Sequence, residues 1–327
     1  MKYLLVDANN MFMRCRHVIK ANDAHEKSSM ALHLIMNSIR KAWRMFDAQH
    51  LVLALDGRSW RKEIYKPYKA QRAEKDALKT AEERNDDKIF FEALHALTEF
   101  MTERTNITVL QNEILEADDL ISRWVDLHPN DEHIIVSSDA DFRQLISTNV
   151  RIYDGMKQET VSLDGFITER GEYARDRKTG EPIPPPNPEW ILFEKCMRGD
   201  TSDNILSAYP GVRKNAIIDA FDDRTARGFL WNNIMNHEWV DHNKVTHKVK
   251  TDFERNRLLI DLRAQPKEII ELMDVVISEA VNSKRNSQIG THFLKFCGKW
   301  SLDMLSKSST EFADILGISY KGELKQQ

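Results

Sequence analysis

Nine acidic residues fall at places in this sequence where a carboxylate can do chemistry. Asp7, Asp56 and Asp139 each close an apolar run (LLVD, LALD and HIIVSSD), and Asp141 follows two residues after the last of them. Glu116, Asp118 and Asp119 open a helix-period segment in EADD, with Glu116 and Asp119 on one face of its first turn. Asp200 and Asp203 stand three apart in GDTSDN. An Asp after a strand is ordinarily a turn former, and an acid in a first helical turn is ordinarily a cap that complements the helix dipole. Neither role needs so many. Gathered together they would repel, by about 4 kcal/mol for two unit charges ~4 Å apart at an effective dielectric near 20, so a positive partner is required. No His or Cys lies at ligand spacing among them, and an all-oxygen set selects a hard cation, Mg²⁺ or Mn²⁺, over zinc. More carboxylates than one octahedral ion can use point to two ions, the arrangement that activates a water and stabilises the leaving oxygen of a phosphodiester. A calcium storage site is the structural alternative, but EF-hand spacing is missing.

A basic stretch supplies the complementary chemistry. GRSWRKEIYKPYKAQR carries Arg58, Arg61, Lys62, Lys66, Lys69 and Arg72 against the single acid Glu63, with Trp60, Tyr65 and Tyr68 interleaved. Cations track phosphates and aromatic rings stack on bases, so the mixture suits a single-strand channel. The plain alternative is a solvated loop; beside an acid-lined crevice the functional reading is the stronger, because the loop offsets a field that repels a polyanion.

Elements that would position these residues follow from periodicity. Strand-like runs at 2–7, 50–56, 106–111 and 133–139 alternate with helix-period segments at 28–46, 86–101 and 117–128. That alternation predicts an α/β fold with a mostly parallel central sheet flanked by helices. Parallel strands put their carboxyl ends, and hence Asp7, Asp56 and Asp139, on one edge, where open α/β sheets place their ligand crevice. VRIYDG (150–155) and QETVSL (158–163) read as two edge strands. Texture sets an α/β domain at 1–170 with the basic loop at about 57–88, a proline-rich loop at 171–188, and a helical domain at 189–327. Lys plus Arg (47) nearly balances Asp plus Glu (51), for a net charge of −4, which excludes a histone-like polycation and an acidic-tail protein. Cys15, Cys196 and Cys297 have no C-x-x-C spacing and read as buried fillers. No apolar run reaches about 18 residues and the N-terminal stretch is too short for a signal peptide, so the expectation is a soluble, cytoplasmic protein.

In order and spacing, VDANN, ALDGR, YKAQR, EADD, SDADF and GDTSDN resemble the flap endonuclease or 5′ nuclease superfamily, most closely its ribonuclease H type from T-even bacteriophages. ALHLIMNSIRKA and NRLLIDL extend the likeness over most of the chain. The resemblance implies a metal-dependent enzyme that removes RNA or DNA from 5′ ends, as in primer removal during DNA replication, with the nine acids around two Mg²⁺ or Mn²⁺ ions. It implies that YKAQR belongs to an arch or clamp, with Lys69 and Arg72 engaging the scissile phosphate and Tyr68 placed to stack. It also implies a helix-hairpin-helix at about 200–220, whose loop amides hold duplex and often K⁺. PGVRKNAI departs from the usual Gly-x-Gly there by carrying Arg213 at the second Gly. Bulk and a preference for negative φ disfavour the amide nest, so the Arg213 and Lys214 side chains become the expected duplex contacts and K⁺ is not expected. Lys195, one turn before Asp200, is either a phosphate contact or an ordinary surface lysine. Branched or nicked DNA and RNA–DNA hybrids with 5′ ends are the implied substrates, a single-strand-binding protein or sliding clamp the candidate partners, and a monomer the expected state. Rival readings are a PIN-type ribonuclease, which would normally lack the basic loop and helical extension, and a non-catalytic nucleic-acid-binding relative, which would be expected to have lost acids. Toprim-type nucleases and haloacid-dehalogenase-type phosphatases place their acids differently along the strands.

Overall fold

The computed structural model describes residues 1–19, 23–282 and 285–325. Its first elements are β1 (Lys2–Asp7), α1 (Ala8–Val18), α2 (Ala24–Phe46), β2 (His50–Ala54), α3 (Arg61–Ile64), α4 (Ala70–Ala77) and α5 (Ala81–Arg104). β3 (Thr108–Leu110), α6 (Ala117–Leu127), β4 (Glu132–Val136), a 3₁₀ helix at Ala140–Leu145, β5 (Val150–Asp154), β6 (Glu159–Ser162) and β7 (Gly165–Thr168) follow. Then come α7 (Pro188–Arg198), α8 (Lys214–Asp222), α9 (Phe229–Met235), β8 (Glu238–Val240), β9 (Thr246–Lys248) and α10 (Val249–Ile260). The last helices are α11 (Lys267–Val281), α12 (Ile289–Lys299), α13 (Asp303–Ser306) and α14 (Ser309–Gly317).

These elements group into two compact units that do not follow chain order. The first joins Met1–Ser59, Lys79–Pro185 and Glu268–Gln327; the second joins Trp60–Leu78 and Pro186–Lys267. The division expected from texture, at 170 and 188, differs from this grouping. Helices α12 and α14 pack with the first unit because Phe293 and Phe296 of α12 and Phe312 and Leu316 of α14 enter the same core as Ile35 and Ile39 of α2 and Leu97 of α5. Fully burying a large apolar side chain stabilises by about 1.5–3 kcal/mol, so such a set outweighs proximity in sequence.

The first unit holds a sheet of order β3-β2-β1-β4-β5-β6-β7. β3, β2, β1, β4 and β5 pair in parallel, as the alternation predicts. β5, expected at an edge, is an interior parallel strand, and the antiparallel hairpin strands β6 and β7 extend the sheet beyond it. β1 lies between β2 and β4, with Asp7 in register with Ala54 and Val6 with Val136. Its residues Tyr3 to Val6 are fully buried, as expected for a strand covered on both faces.

The second unit has its own core, from Phe193 and Met197 of α7, Ile217 and Phe221 of α8, and Val249 of α10. A smaller cluster joins Tyr68 to Cys196, Ile205, Leu259 and Ile260. Helix-period segments alone were expected after 188; β8 and β9 form an antiparallel hairpin there, with Trp239 stacked on His247 at 4.3 Å. All three cysteines are buried and unbridged. Among the described residues no helix is long and apolar enough to cross a membrane.

Candidate active site

Seven of the nine acids lie in the first unit, in segments that leave the carboxyl ends of neighbouring strands. Asp7 ends β1 and caps α1, its Oδ1 accepting the Asn10 N–H at 3.1 Å while its Oδ2 accepts the Ser137 hydroxyl at 3.0 Å. Asp56 lies two residues beyond β2, and its Oδ1 accepts the Ala117 N–H at 2.9 Å in the first turn of α6. Glu116 is the N-cap residue of that helix and accepts the Ser59 hydroxyl at 2.6 Å. Asp119 is fully buried, accepting the Glu116 N–H at 3.2 Å, and Asp118 beside it is partly exposed. Asp139 caps the 3₁₀ helix by accepting the Asp141 N–H at 2.9 Å. α1 and α6 therefore start on this edge of the sheet, and their N-terminal dipoles favour anions there.

A close approach of backbones sets part of this geometry. Gly57 donates its N–H to Leu115 O at 2.7 Å, and a Cβ built on it would stand 2.0 Å from Asn112 O. Only glycine allows the segment after β2 to run against residues 112–115, which brings Ser59 to Glu116. Sequence reasoning missed Ser59, because nothing local marks a serine in a basic loop as the partner of a glutamate 57 residues away.

Electrostatically, the carboxyl end of β1 sets two acids against each other. Burial, then the neighbouring Asp56 carboxylate, push Asp7 up to about 7 despite hydrogen bonds from Asn10 and Ser137. Among the described residues no three acidic, histidine or cysteine side chains stand close enough to form a ready-made ligand set, as expected for like charges held apart by their own protein hydrogen bonds. A divalent cation fits this donor set: every side-chain donor is a carboxylate oxygen, and a buried carboxylate raised in this way gains from a positive neighbour.

Asp200 and Asp203 belong to the second unit, on the loop after α7. Gly199 ends that helix at φ 73°, and a Cβ there would meet Ile205 O at 2.3 Å, so glycine permits the tight Asp200–Ile205 bridge. Burial would raise Asp200, but hydrogen bonds from Lys195, 2.7 Å away, and Ser202 hold it below the usual carboxylate range. Asp203 accepts from Arg72 at 2.9 Å, lies 3.6 Å from Lys69 Nζ, and accepts the Tyr68 hydroxyl at 3.3 Å. Backbone bonds complete the join: the Lys69 N–H donates to Asp203 O at 2.8 Å and Asn204 Nδ2 to Pro67 O at 2.8 Å. YKAQR and GDTSDN, two separate motifs in the sequence, thus form one knot.

The remaining basic-loop residues divide by exposure. Arg58, Lys62, Lys66 and Arg72 are exposed. Arg61, expected to track phosphate, is instead 2% exposed: its Nε donates to Leu259 O at 2.8 Å and its guanidinium lies over Trp60. Tyr68, expected to stack on a base, is 4% exposed, its ring in the cluster with Cys196 and Ile205. Both serve the packing of the second unit. Between α7 and α8, Gly211 takes φ 74° while Arg213 adopts extended backbone as the N-cap residue of α8. Arg213 and Lys214 are exposed at that helix start.

Comparison with known proteins bears on this arrangement. Residues 2–171 match the family described as 5′-3′ exonuclease, N-terminal resolvase-like domain. Flap endonuclease Xni of Shewanella loihica is 28% identical over 216 residues, 64% of this chain and 72% of that protein. The flap endonuclease of Escherichia phage T5 is 27% identical over 205 residues, 62% of this chain and 63% of that one. The solved structure of the T5 D15 protein co-crystallised with metal ions shares the fold, with a TM-score of 0.59 at 20% identity over 86% of this chain and 99% of the other.

Proposed function

This chain belongs to the 5′-3′ exonuclease family with an N-terminal resolvase-like domain, and from that membership we propose that its acid-lined edge cleaves nucleic acids at 5′ ends with the help of divalent metal ions. The enzyme is a nuclease, a hydrolase of phosphodiester bonds. One observation carries the metal reading: seven carboxylates from four segments lie at the carboxyl edge of one sheet, with Asp7 pushed up by burial and by the neighbouring Asp56 carboxylate.

Asp7, Asp56, Glu116, Asp118, Asp119, Asp139 and Asp141 are the residues proposed to hold Mg²⁺ or Mn²⁺, two ions being the count that so many oxygens suit. Bound there, such ions would supply an activated water and stabilise the leaving oxygen. Asp200 and Asp203 are proposed as metal-facing acids of the second unit. Lys69 and Arg72 are the proposed contacts to the scissile phosphate; their ion pairs with the one carboxylate of Asp203 support that reading, and a phosphate would take over that place. Exposed Arg58, Lys62, Lys66, Arg213 and Lys214, with Lys195, supply the proposed track for the nucleic-acid backbone. The proposed substrates are branched or nicked DNA and RNA–DNA hybrids, handled by a cytoplasmic monomer, with a single-strand-binding protein or sliding clamp as partner.

A 5′-labelled flap, a nicked duplex and an RNA–DNA hybrid, each with and without Mg²⁺, test the reading. Cleavage is expected with Mg²⁺ or Mn²⁺ and its loss in EDTA, whereas Ca²⁺, with longer and looser bonds, should support binding without efficient cleavage. Full activity in EDTA would overturn the metal assignment. Lys69→Ala and Arg72→Ala should each slow single-turnover cleavage about 10²-fold or more, roughly 2.7 kcal/mol of barrier. Lys79→Ala is the control: Lys79 is bonded to Asp87 at 2.5 Å and should leave the rate within about threefold. Equal rates for all three variants would reduce the loop to an electrostatic surface.

A further inference from the structure

Three uncharged side chains tie the acid-bearing strand ends to one another. Asn9 and Asn10 sit in the first turn of α1, directly after Asp7, and β1 lies between β2 and β4. Successive helical residues diverge by about 100°, so neighbouring asparagines can reach opposite neighbours of the central strand. Asn9 Oδ1 accepts the Asp56 N–H at 3.2 Å, beyond β2. On the other side Asn10 Oδ1 accepts the Ser138 hydroxyl at 2.7 Å and the Ser138 N–H at 3.4 Å, beyond β4. Ser137, 3% exposed, closes the chain: its hydroxyl donates to Asp7 Oδ2 at 3.0 Å and accepts the Asp139 N–H at 3.1 Å.

We infer that Asn9, Asn10 and Ser137 are positioning residues of the metal site, a brace that fixes the spacing of Asp7, Asp56 and Asp139 on three adjacent strands before any ion arrives. The inference rests on the proposed metal reading and adds to it which residues build the ligand set. Three carboxylates on neighbouring strand ends push one another apart, and Asp56 and Asp139 sit on segments that have already left the ladders of their strands. A bond from a neutral amide or hydroxyl holds such a segment without supplying a charge that would compete with the cation. Partners one step behind metal ligands commonly change affinity 10–100-fold when removed. If these bonds served only to satisfy backbone N–H groups at strand ends, their loss would lower stability and leave metal affinity unchanged.

Titration of the substrate-free protein with Mn²⁺, following the electron paramagnetic resonance of the free aqua ion, separates the two. Asn9→Ala, Asn10→Ala and Ser137→Ala should each weaken Mn²⁺ binding about tenfold or more, while Ser137→Thr, which keeps the hydroxyl, restores most of the affinity. Ser147→Ala, which removes a bond only to Asn149, should match the parent. Should Ser137→Ala fail to fold, the two asparagine variants decide the matter, since both side chains are partly exposed. Parent-like Mn²⁺ affinity in folded Asn9→Ala and Asn10→Ala overturns the brace. Parent-like affinity in Asp139→Asn with Asp141→Asn overturns the metal reading itself, a separate result.

Discussion

The two edges of the parallel sheet are made from the same strands and treat polar groups in opposite ways. At the carboxyl edge, acids follow β1, β2 and β4 and burial pushes Asp7 up to about 7. At the amino edge Tyr3, His50 and His133 stand in the first two positions of the same strands, and these meet Trp124 of α6, its C-cap residue His128 and Tyr320 from the C-terminal segment. All three histidines are essentially buried. His50 donates from Nδ1 to Ile318 O at 3.1 Å and accepts the Thr108 hydroxyl at 2.8 Å, the pattern of a neutral ring. His128 donates from Nδ1 to Trp124 O and accepts from Tyr320 at 2.7 Å. An imidazole can give up its charge and close a core; a row of carboxylates near neutral pH cannot without losing what makes it useful. One edge is therefore built for stability and the other keeps charge in place at some cost to it.

The largest expected contrast is in turnover. Asp139→Asn with Asp141→Asn should cut single-turnover cleavage of a 5′ flap about 10³-fold while the thermal midpoint hardly moves, because both side chains are partly exposed and lie outside the core. Normal turnover of that variant in Mg²⁺ would erase the distinction between the edges. The opposite edge should show the reverse behaviour. Trp124→Ala empties a fully buried site and should cost about 3–5 kcal/mol in urea unfolding, with the rate per folded molecule within about threefold of the parent.

Acid should also act on the amino edge. Burial, then repulsion from His128, holds His50 and His133 at about 4, against an ordinary 6.5, although each gains a bond to a backbone carbonyl. Since the folded values are depressed, their contribution is complete above pH 6.5 and is lost as pH falls toward 4, where the unfolded chain takes up the protons first. Urea melts across this window should fall by up to a few kcal/mol, and His50→Gln should flatten part of the slope; an unchanged slope in that variant would remove His50 from the account. The smallest change in stability belongs to Asp7→Asn. Removing a buried charge beside Asp56 should raise stability by about 1 kcal/mol, a shift of roughly 2 °C for a chain of this size, with cleavage lost. A lower melting temperature would show that its bonds to Asn10 and Ser137 outweigh the repulsion.

Much of the carboxyl edge was legible in the sequence because its signals are local. An apolar β-branched run followed by Asp names both the strand and the acid that leaves it, and alternation with helical periods makes the strands parallel, so LLVD, LALD and HIIVSSD point to one edge. The amino edge was silent: a histidine at the start of an apolar run carries no sign that Tyr320 or Ile318 will cover it. The basic loop shows the same limit from another side. Its composition marks every cation and ring as available, yet burial of Arg61 depends on the Leu259 carbonyl and that of Tyr68 on Ile205 and Cys196, partners far along the chain.

By itself, then, the sequence determined the inventory: which acids end or follow strands, which ligand chemistry carboxylates suit, and that a stretch rich in cations and rings follows the second strand. Tertiary structure alone decided the order of strands, which put β1 between β2 and β4 so that Asn9 and Asn10 could each reach a neighbour. It also joined Lys69 and Arg72 to Asp203, and carried α12 and α14 back to the core of the first unit. The physical reason is range. Propensity, periodicity and capping act over a few residues and leave their mark in the local order of side chains, whereas partners more than a hundred positions apart are chosen by which apolar faces and hydrogen-bonding groups the folded chain can satisfy together.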